Sequence, residues 1–371
     1  WPRMSVYGDI GVPPARNVGG TDNPNNISTV LELANYAIAI RPAGAVTLFE
    51  DGSVGDPASL GVAMLMANWT KASRPDVAHN NYDTPLRQQL GYLLNTAPKT
   101  PDGAISHRSE QVQLWSDFIY MTPPFIAYYG ALYQPYVHQW LVYTAYDQIR
   151  LYRNYLFDSS VGLWKHIAMG TSPDDGHWST GNGWAAAGIL RVLVTMNQTT
   201  LGYQPQFLAA QRDLQNWATE IVNNIWAYQQ SDGSLPNYAT NSTTFSDSAS
   251  TALLASVTFR LAALPSYLRG PPANATVDPT LSPHPTIDMA ALPSLIPLKP
   301  ESLQAAHLAR DCVKRRLNTT DGWLAQVVDP YAFWNQQADG KSPEAESFVL
   351  MMEAAWRGWK DYVLEEAKNA T

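Results

Sequence analysis

Residues 102–125, DGAISHRSEQVQLWSDFIYMTPPF, run from an Asp-Gly reversal through a polar connection into an apolar helix that begins at Asp117. The same grammar recurs at 162–193, GLWKHIAMGTSPDDGHWSTGNGWAAAGILRVL, and at 232–257, DGSLPNYATNSTTFSDSASTALLASV. A looser copy is 321–355, DGWLAQVVDPYAFWNQQADGKSPEAESFVLMMEAA, and a weaker one, GDPASLGVAMLMANW, lies at 55–69. In each, glycine supplies the left-handed or tight-turn backbone that reverses the chain. A Ser, Thr or Asp further on is placed to cap the next helix. Asp56, Asp117, Thr180 and Asp247 occupy corresponding places, each roughly sixty residues after the last, which is the length of two helices with their connections. Repetition on that period predicts a ring of helical hairpins with equivalent helix starts gathered at one end.

Helical periodicity predicts segments near 27–41, 57–69, 82–95, 117–130, 135–156, 182–197, 205–229, 247–263, 300–317 and 343–367, and strand-like alternation is nearly absent. The chain therefore reads as one all-α domain spanning 1–371, an (α/α)6 barrel of six hairpins with one helix short or reduced to coil. From about 264 to 300 nine prolines break any helix, so this stretch is expected to be a surface excursion between two hairpins.

Of the 371 residues, 45% are hydrophobic and only 15% charged, enough for a large core without many surface ion pairs. A formal charge of −8 with no basic stripe argues against nucleic acid and anionic membranes as partners. No apolar run reaches membrane-spanning length. Seven sequons, at Asn26, Asn68, Asn197, Asn241, Asn274, Asn318 and Asn369, point to N-linked glycans on some of them and to a secreted eukaryotic, fungal protein. The start at Trp1 implies a removed leader. The lone cysteine, Cys312, lies in an apolar-patterned stretch and is expected to be buried.

The helix starts carry the candidate chemistry. Taken alone, Asp117 is a helix cap, because the dipole and free N–H groups favour its ionised form. Burial beside Trp115 and Tyr120 would act the other way and favour proton donation. Asp56, its counterpart in the preceding unit, would face it across the ring, and two carboxyls facing one cavity are the usual equipment for breaking a glycosidic or enol-ether bond. His107 and His166 follow reversal turns at equivalent places and can hydrogen-bond sugar hydroxyls or relay a proton. Trp115, Tyr120, Trp178, Trp184, Trp323 and Trp334 are expected along the rim of a sugar site. No clustered His and Cys spacing suggests a metal. There is no Gly-x-Ser-x-Gly nucleophile, and Gly181-Asn182-Gly183 follows no strand and precedes no Lys-Ser/Thr, so it is not a phosphate loop.

These motifs resemble the six-hairpin glycosidases, and within them the unsaturated glucuronyl and rhamnogalacturonyl hydrolases of glycoside hydrolase families 88 and 105. The similarity runs from about Asp56 to Met351. It rests on Trp115-x-Asp117 followed by Tyr120-Met121, on Asp56 shortly before Gly61, on His107 and His166 after their turns, and on Trp178-Ser179-Thr180-Gly181-Asn182-Gly183-Trp184. In that last motif Thr180 stands where the family commonly has Arg.

The resemblance implies a secreted hydrolase that removes an unsaturated uronic acid from the non-reducing end of lyase-generated oligosaccharides, of pectin, rhamnogalacturonan or glucuronan type. Asp117 is the implied acid/base, with Asp56 beside it. His107, Trp115, Tyr120, His166, Trp178, Thr180, Asn182 and Trp184 are the implied substrate contacts, and no metal or organic cofactor is implied. Loss of the arginine keeps open an exo-glycosidase or polysaccharide lyase on the same scaffold, and a third reading is a non-catalytic carbohydrate-binding relative that keeps the tryptophans and does not depend on Asp117.

Overall fold

The computed structural model describes residues 28–70, 81–132, 140–268, 292 and 294–369. Ten α-helices appear among them: α1 (Ser28–Ile40), α2 (Gly55–Thr70), α3 (Asp83–Asn95), α4 (Phe118–Leu132), α5 (Trp140–Leu156), α6 (Ser179–Gln198), α7 (Pro205–Ile225), α8 (Ser248–Ala262), α9 (Pro300–Arg316) and α10 (Pro343–Asn369). The periodicity located all ten. The predicted start at 182 moves back to Ser179, where Trp178 ends the extended approach, and the segment predicted to 229 closes in a 3-10 turn, Trp226–Tyr228. The segment expected from 135 is helical from Trp140, and 133–139 lies outside the described residues.

Even-numbered helices α2, α4, α6, α8 and α10 pack each against the next, and α5, α7 and α9 lie against α4, α6 and α8. Side-chain burial separates the two layers. α6 and α8 bury nearly every residue, whereas α9 buries only Ser302, Ala305, Ala306, Ala309, Cys312 and Val313, the stripe expected of a helix with one face in solvent. Small residues on α6 allow close approach: a Cβ built on Gly188 would drive into the backbone carbonyl of Ile119 on α4. One contiguous buried cluster extends from Leu31 to Ala355. No described helix is long and apolar enough to cross a membrane.

The reversal turns behave as their glycines require. Gly103, Gly162, Gly233 and Gly322 have φ of 97, 71, 92 and 81°, a region costly for any side chain. Beyond each turn the connections are stitched to their neighbours by backbone pairing. Ser53 bridges Arg108, β1 (Leu114–Trp115) pairs antiparallel with β4 (Ile167–Ala168), Trp178 bridges Tyr238, and the Ser248 N–H donates to the Gln326 carbonyl at 2.8 Å. Two further short pairs, β2 (Phe157–Asp158) with β3 (Leu163–Trp164) and β5 (Leu235–Pro236) with β6 (Ser246–Asp247), complete the turns. The starts of the even helices are thereby tied together at one end.

Of the proline-rich excursion, 269–291 and 293 lie outside the described residues. Its last part is laid along α7: Asn216 takes the Ile296 N–H at 2.7 Å, and Asn223 takes the Lys299 N–H at 3.0 Å. Among the sequons, Asn241, Asn318 and Asn369 are exposed, Asn68 is half-buried, and Asn26 and Asn274 lie outside the described residues. Asn197 is buried inside α6 and donates to Gln211 Oε1 at 3.0 Å. Cys312 is buried.

Candidate active site

Asp117 lies just ahead of α4, with 13% of its side chain exposed. It does not spend its carboxylate as a cap. Its Oδ1 accepts from Ser116 Oγ at 3.2 Å and faces His166 Nε2 at 3.8 Å. The capping role belongs instead to its counterpart Asp247, which is fully buried and accepts from the N–H groups of Ala249, Ser250 and Val328. Two residues at equivalent repeat positions have therefore taken up different work, one structural and one open to chemistry.

His166 has no exposed side-chain surface and is boxed by aromatic rings, Trp178 at 4.6 Å, Phe333 at 4.6 Å and Trp115 at 5.4 Å between centroids. Its Nδ1 meets Asp174 Oδ2 at 3.0 Å, and the same oxygen accepts from Tyr238 Oη at 2.6 Å. Burial pushes Asp174 up, but the hydrogen bonds from His166, Tyr238 and the Gly176 N–H outweigh it and hold the carboxyl below its ordinary range. An ionised Asp174 only accepts, so Nδ1 carries a hydrogen and Nε2 is left facing Asp117. Nε2 has no other hydrogen-bond partner.

His107 is buried and stacked on Trp115 at 4.9 Å. Desolvation, opposed by the charge of Asp117, lowers its pKa to about 4 and keeps the ring neutral. Its Nε2 lies 3.5 Å from Ser53 Oγ, which also accepts the N–H groups of Gly55 and Asp56 at the start of α2. Desolvation raises the Asp56 carboxyl, and the Ser53 hydroxyl partly opposes that.

Glu344, in the first turn of α10, joins these groups. It is half-buried. Desolvation, with the charges of Asp117, Asp247 and Asp56, pushes it up to about 8 against a hydrogen bond from Trp184. The carboxyls of Asp56, Asp117 and Asp247, from the starts of α2, α4 and α8, thus all bear on Glu344. Tyr120 packs on Trp184 at 4.3 Å and Trp184 on Phe348 at 4.7 Å, which holds the indole in place.

Thr180 and Asn182 prove to have internal duties, which corrects the expectation that both contact substrate. Both are fully buried. Thr180 donates its hydroxyl to Asp247 Oδ2 at 3.0 Å. Asn182 accepts from the Trp164 N–H at 2.8 Å and donates to the carbonyls of Trp164 and Trp178 at 2.8 and 3.0 Å. Trp178 is buried, with its indole N–H on Asn237 Oδ1 at 2.9 Å. Trp323 sits in the turn that follows α9, its carbonyl accepting from the Asn318 N–H.

A cavity of about 410 Å³ adjoins this cluster, walled by Arg108, Gln113, Trp115, Asp174, Phe333 and Trp334 among others. Asp56, Asp117 and Glu344 are not in its wall, but Trp115, Phe333 and Asp174 are also the residues around His166. Trp334 is 56% exposed and stacks flat on Tyr238 at 4.1 Å, a rigid apolar platform at the mouth. Arg108 is held by Glu110 at 2.9 Å, while its charge reaches Asp56 and His107. Lys165 pairs with Asp175 at 2.6 Å. Among the described residues no group of three His, Cys, Asp or Glu is arranged to hold a metal ion.

The family model for Glycosyl Hydrolase Family 88 matches residues 63–259, more than half of the chain. The chain belongs to glycosyl hydrolase family 88. This family 88 glycoside hydrolase has no match among curated proteins. Its fold is similar to that of a possible member of family GH105 from Salmonella enterica, at 17% identity and a TM-score of 0.64, covering 90% of this chain and 78% of that one. It is similar also to an unsaturated glucuronyl hydrolase specific for heparin, at 12% identity and a TM-score of 0.57, with 90% and 79% covered. A D-mannose isomerase shares the fold at 10% identity and a TM-score of 0.55, with 90% and 83% covered. Such likeness concerns architecture and leaves chemistry to the residues.

The matched span of this family 88 hydrolase contains Asp117, His107 and His166, while Asp56 and Glu344 fall outside it. Three participants escaped the sequence reading. Asp174 meets His166 across the short turn closed by the Ile167–Asp174 bridge, and Tyr238 joins them from a distant segment. Glu344 had a signal, since it stands in the first turn of the last even helix, as Asp56 does in α2.

Proposed function

We propose that this enzyme removes a Δ4,5-unsaturated uronic acid from the non-reducing end of lyase-generated oligosaccharides by hydrating the vinyl ether. The observation that carries the reading is the approach of Asp117 to the buried Nε2 of His166 at 3.8 Å, at the end of the fold where the even helices start. In this reading His166, anchored at Nδ1 by Asp174, faces Asp117 through Nε2 at 3.8 Å, and Asp117 is the acid that supplies a proton. Asp117 then delivers it to C4, water adds at C5, and the water's surplus proton returns to the carboxylate. The hemiketal opens, the leaving sugar departs, and Asp117 is restored. Acid/base assistance of this kind contributes about 10² to 10⁴ in rate. Asp56 and neutral His107 supply polar contacts to the sugar. Trp115, Phe333 and Trp334 suit the leaving-side residues in the adjoining cavity.

Loss of the conjugated double bond's ultraviolet absorbance tests this. Wild-type protein on lyase-generated pectin, rhamnogalacturonan and glucuronan fragments should remove it, and Asp117→Asn should not. A second reading, an exo-glycosidase or lyase, draws on the buried, Asp247-bound Thr180, which brings no cation to the first turn of α6. Saturated sugar released at constant absorbance would favour the first, and rising absorbance the second.

The arc of even helices is, in this proposal, part of a closed six-hairpin barrel and one catalytic domain. The effect of Asp56 on α2 upon Glu344 on α10, at opposite ends of the arc, supports closure. The exposed sequons Asn241, Asn318 and Asn369 support a secreted glycoprotein.

A further inference from the structure

We propose that Arg108 is the specificity-determining contact for the carboxylate of the unsaturated sugar, holding it with the terminal nitrogens of its guanidinium where the cavity borders the Asp117 cluster. The inference rests on the reading above and names the group that makes an acidic sugar acceptable. A uronate brought to Asp117 arrives beside the carboxyls of Asp117 and Asp174, and like charges at close range repel. It needs a cation. The first turn of α6 brings none, since Thr180 is buried and bound to Asp247. Lys165 pairs with Asp175 at 2.6 Å, and Arg191 is buried on the ring and carbonyl of Tyr120. Among the described residues, Arg108 is the cation in the cavity wall.

Arg108 belongs to both places. It follows His107, whose ring stacks on Trp115 at 4.9 Å, and Trp115 shares the cavity wall with it. Its charge acts on Asp56 and on His107. The backbone beneath the side chain is fixed: the Arg108 N–H donates to Ser106 Oγ at 3.1 Å, Ser53 pairs with Arg108 across the bridge, and Ser109 donates its N–H and hydroxyl to the Gly52 carbonyl at 2.9 and 3.0 Å. The guanidinium lies over Gly52, so close that a Cβ there would stand 2.9 Å from Nη2. Glu110 takes one corner only, its Oε1 accepting from Nε at 2.9 Å. Among the described residues Nη1 and Nη2 make no hydrogen bond, and with 32% of the side chain exposed in the cavity wall a ligand can reach them. Glu110 is itself 51% exposed, and a pair so open to water is weak. Two open N–H groups on a planar fork match a carboxylate in a charge-assisted, two-bond pairing, a partner that no neutral sugar supplies.

Steady-state rates on the unsaturated galacturonosyl-rhamnose disaccharide, as free acid and as methyl ester, test this, because the two compounds differ only at the one carboxylate. For wild type, kcat/KM should favour the acid by about tenfold or more. Arg108→Gln should raise KM for the acid by about tenfold to a hundredfold and change the ester much less, so that the preference collapses. Arg108→Lys keeps the charge without the fork and should restore part of it. Glu110→Gln removes the competing anion and should strengthen the preference. Gly52→Ala, whose methyl displaces the guanidinium, should weaken it, and this variant carries the test if thermal unfolding shows that Arg108→Gln does not fold. Equal losses on acid and ester in Arg108→Gln, or a wild type that takes the ester as readily as the acid, overturn the proposal. Calorimetric binding of both compounds separates it from the hydration reading. An acid preference in binding that Arg108→Gln abolishes, without turnover of either compound, would sink the hydration reading and leave the role of Arg108 standing, whereas no binding of the acid by wild type overturns that role.

Discussion

His166 Nε2 and Asp117 Oδ1 face each other at 3.8 Å, with the far side of the imidazole anchored to Asp174 at 3.0 Å. The anchor keeps a hydrogen on Nδ1 and turns Nε2 towards Asp117. Asp174→Asn lets the amide turn its donor to Nδ1 and reverse that assignment. We expect kcat to drop by about 10²-fold with KM little altered. Tyr238→Phe removes one donor to Asp174 and should cost less. Steady-state kinetics on the unsaturated disaccharide measures both, and wild-type kcat in Asp174→Asn would show that the anchor plays no part.

His107 gives the fold an acid-sensitive component. Its pKa is lowered from 6.5 to about 4 by desolvation. The stability it contributes is complete above pH 6.5 and is lost as pH falls from there to about 4, because the unfolded chain takes the proton first. Asp56, Asp247 and Glu344, all raised, act with the opposite sign. The difference between wild type and His107→Phe isolates the histidine. Relative to the variant, wild type should lose on the order of 3 kcal/mol between neutral pH and the foot of that window. Urea unfolding at both pH values reads it out, and parallel pH profiles would mean that His107 is not buried neutral.

What the chain discloses in one dimension follows from how local each device is. Gly103, Gly162, Gly233 and Gly322 reverse the backbone through their own φ, so a repeated glycine was enough to find the hairpins. Asp117, Trp115 and His107 lie within one short stretch, and their periodic relation to Asp56 and His166 pointed to one end of the fold. Asp247 shows the limit of such equivalence: same place in the repeat, yet its oxygens go to backbone N–H groups supplied by α8 and Val328. Asn182 shows another. Small and polar residues look alike in sequence whether they line a cavity or pin Trp164, and only packing decides. Tyr238 and Glu344 draw their roles from groups distant in the chain, where no spacing rule operates, and Asp174 meets His166, eight residues before it, only because the Ile167–Asp174 bridge folds the chain back.

The pinning of Trp164 has its own consequence. Asn182→Ala removes an acceptor and a donor that satisfy three buried backbone groups, and no water reaches a side chain with 0% exposure to replace them. The loss should be about 2–4 kcal/mol, measured by urea unfolding. Folded variant should keep kcat within a few fold. A large kcat defect with wild-type stability would return Asn182 to the substrate-binding set.

Helix crossing offers the sharpest contrast between two glycines. At Gly188 an added methyl meets the Ile119 carbonyl, a backbone atom that cannot swing aside, so α6 and α4 must separate where each is most buried. Gly188→Ala should therefore cost about 3 kcal/mol or more. Activity should suffer too, since Asp117 stands at the start of α4 and Trp184 one turn before Gly188 on α6. Gly91, inside α3, has nothing within 4 Å of an added Cβ. There alanine lowers the entropy of the unfolded chain and improves helix propensity, so Gly91→Ala should raise stability by about 0.5–1 kcal/mol. Paired thermal and urea unfolding of the two variants measures the difference, and equal effects would mean that α4 and α6 do not cross at Gly188.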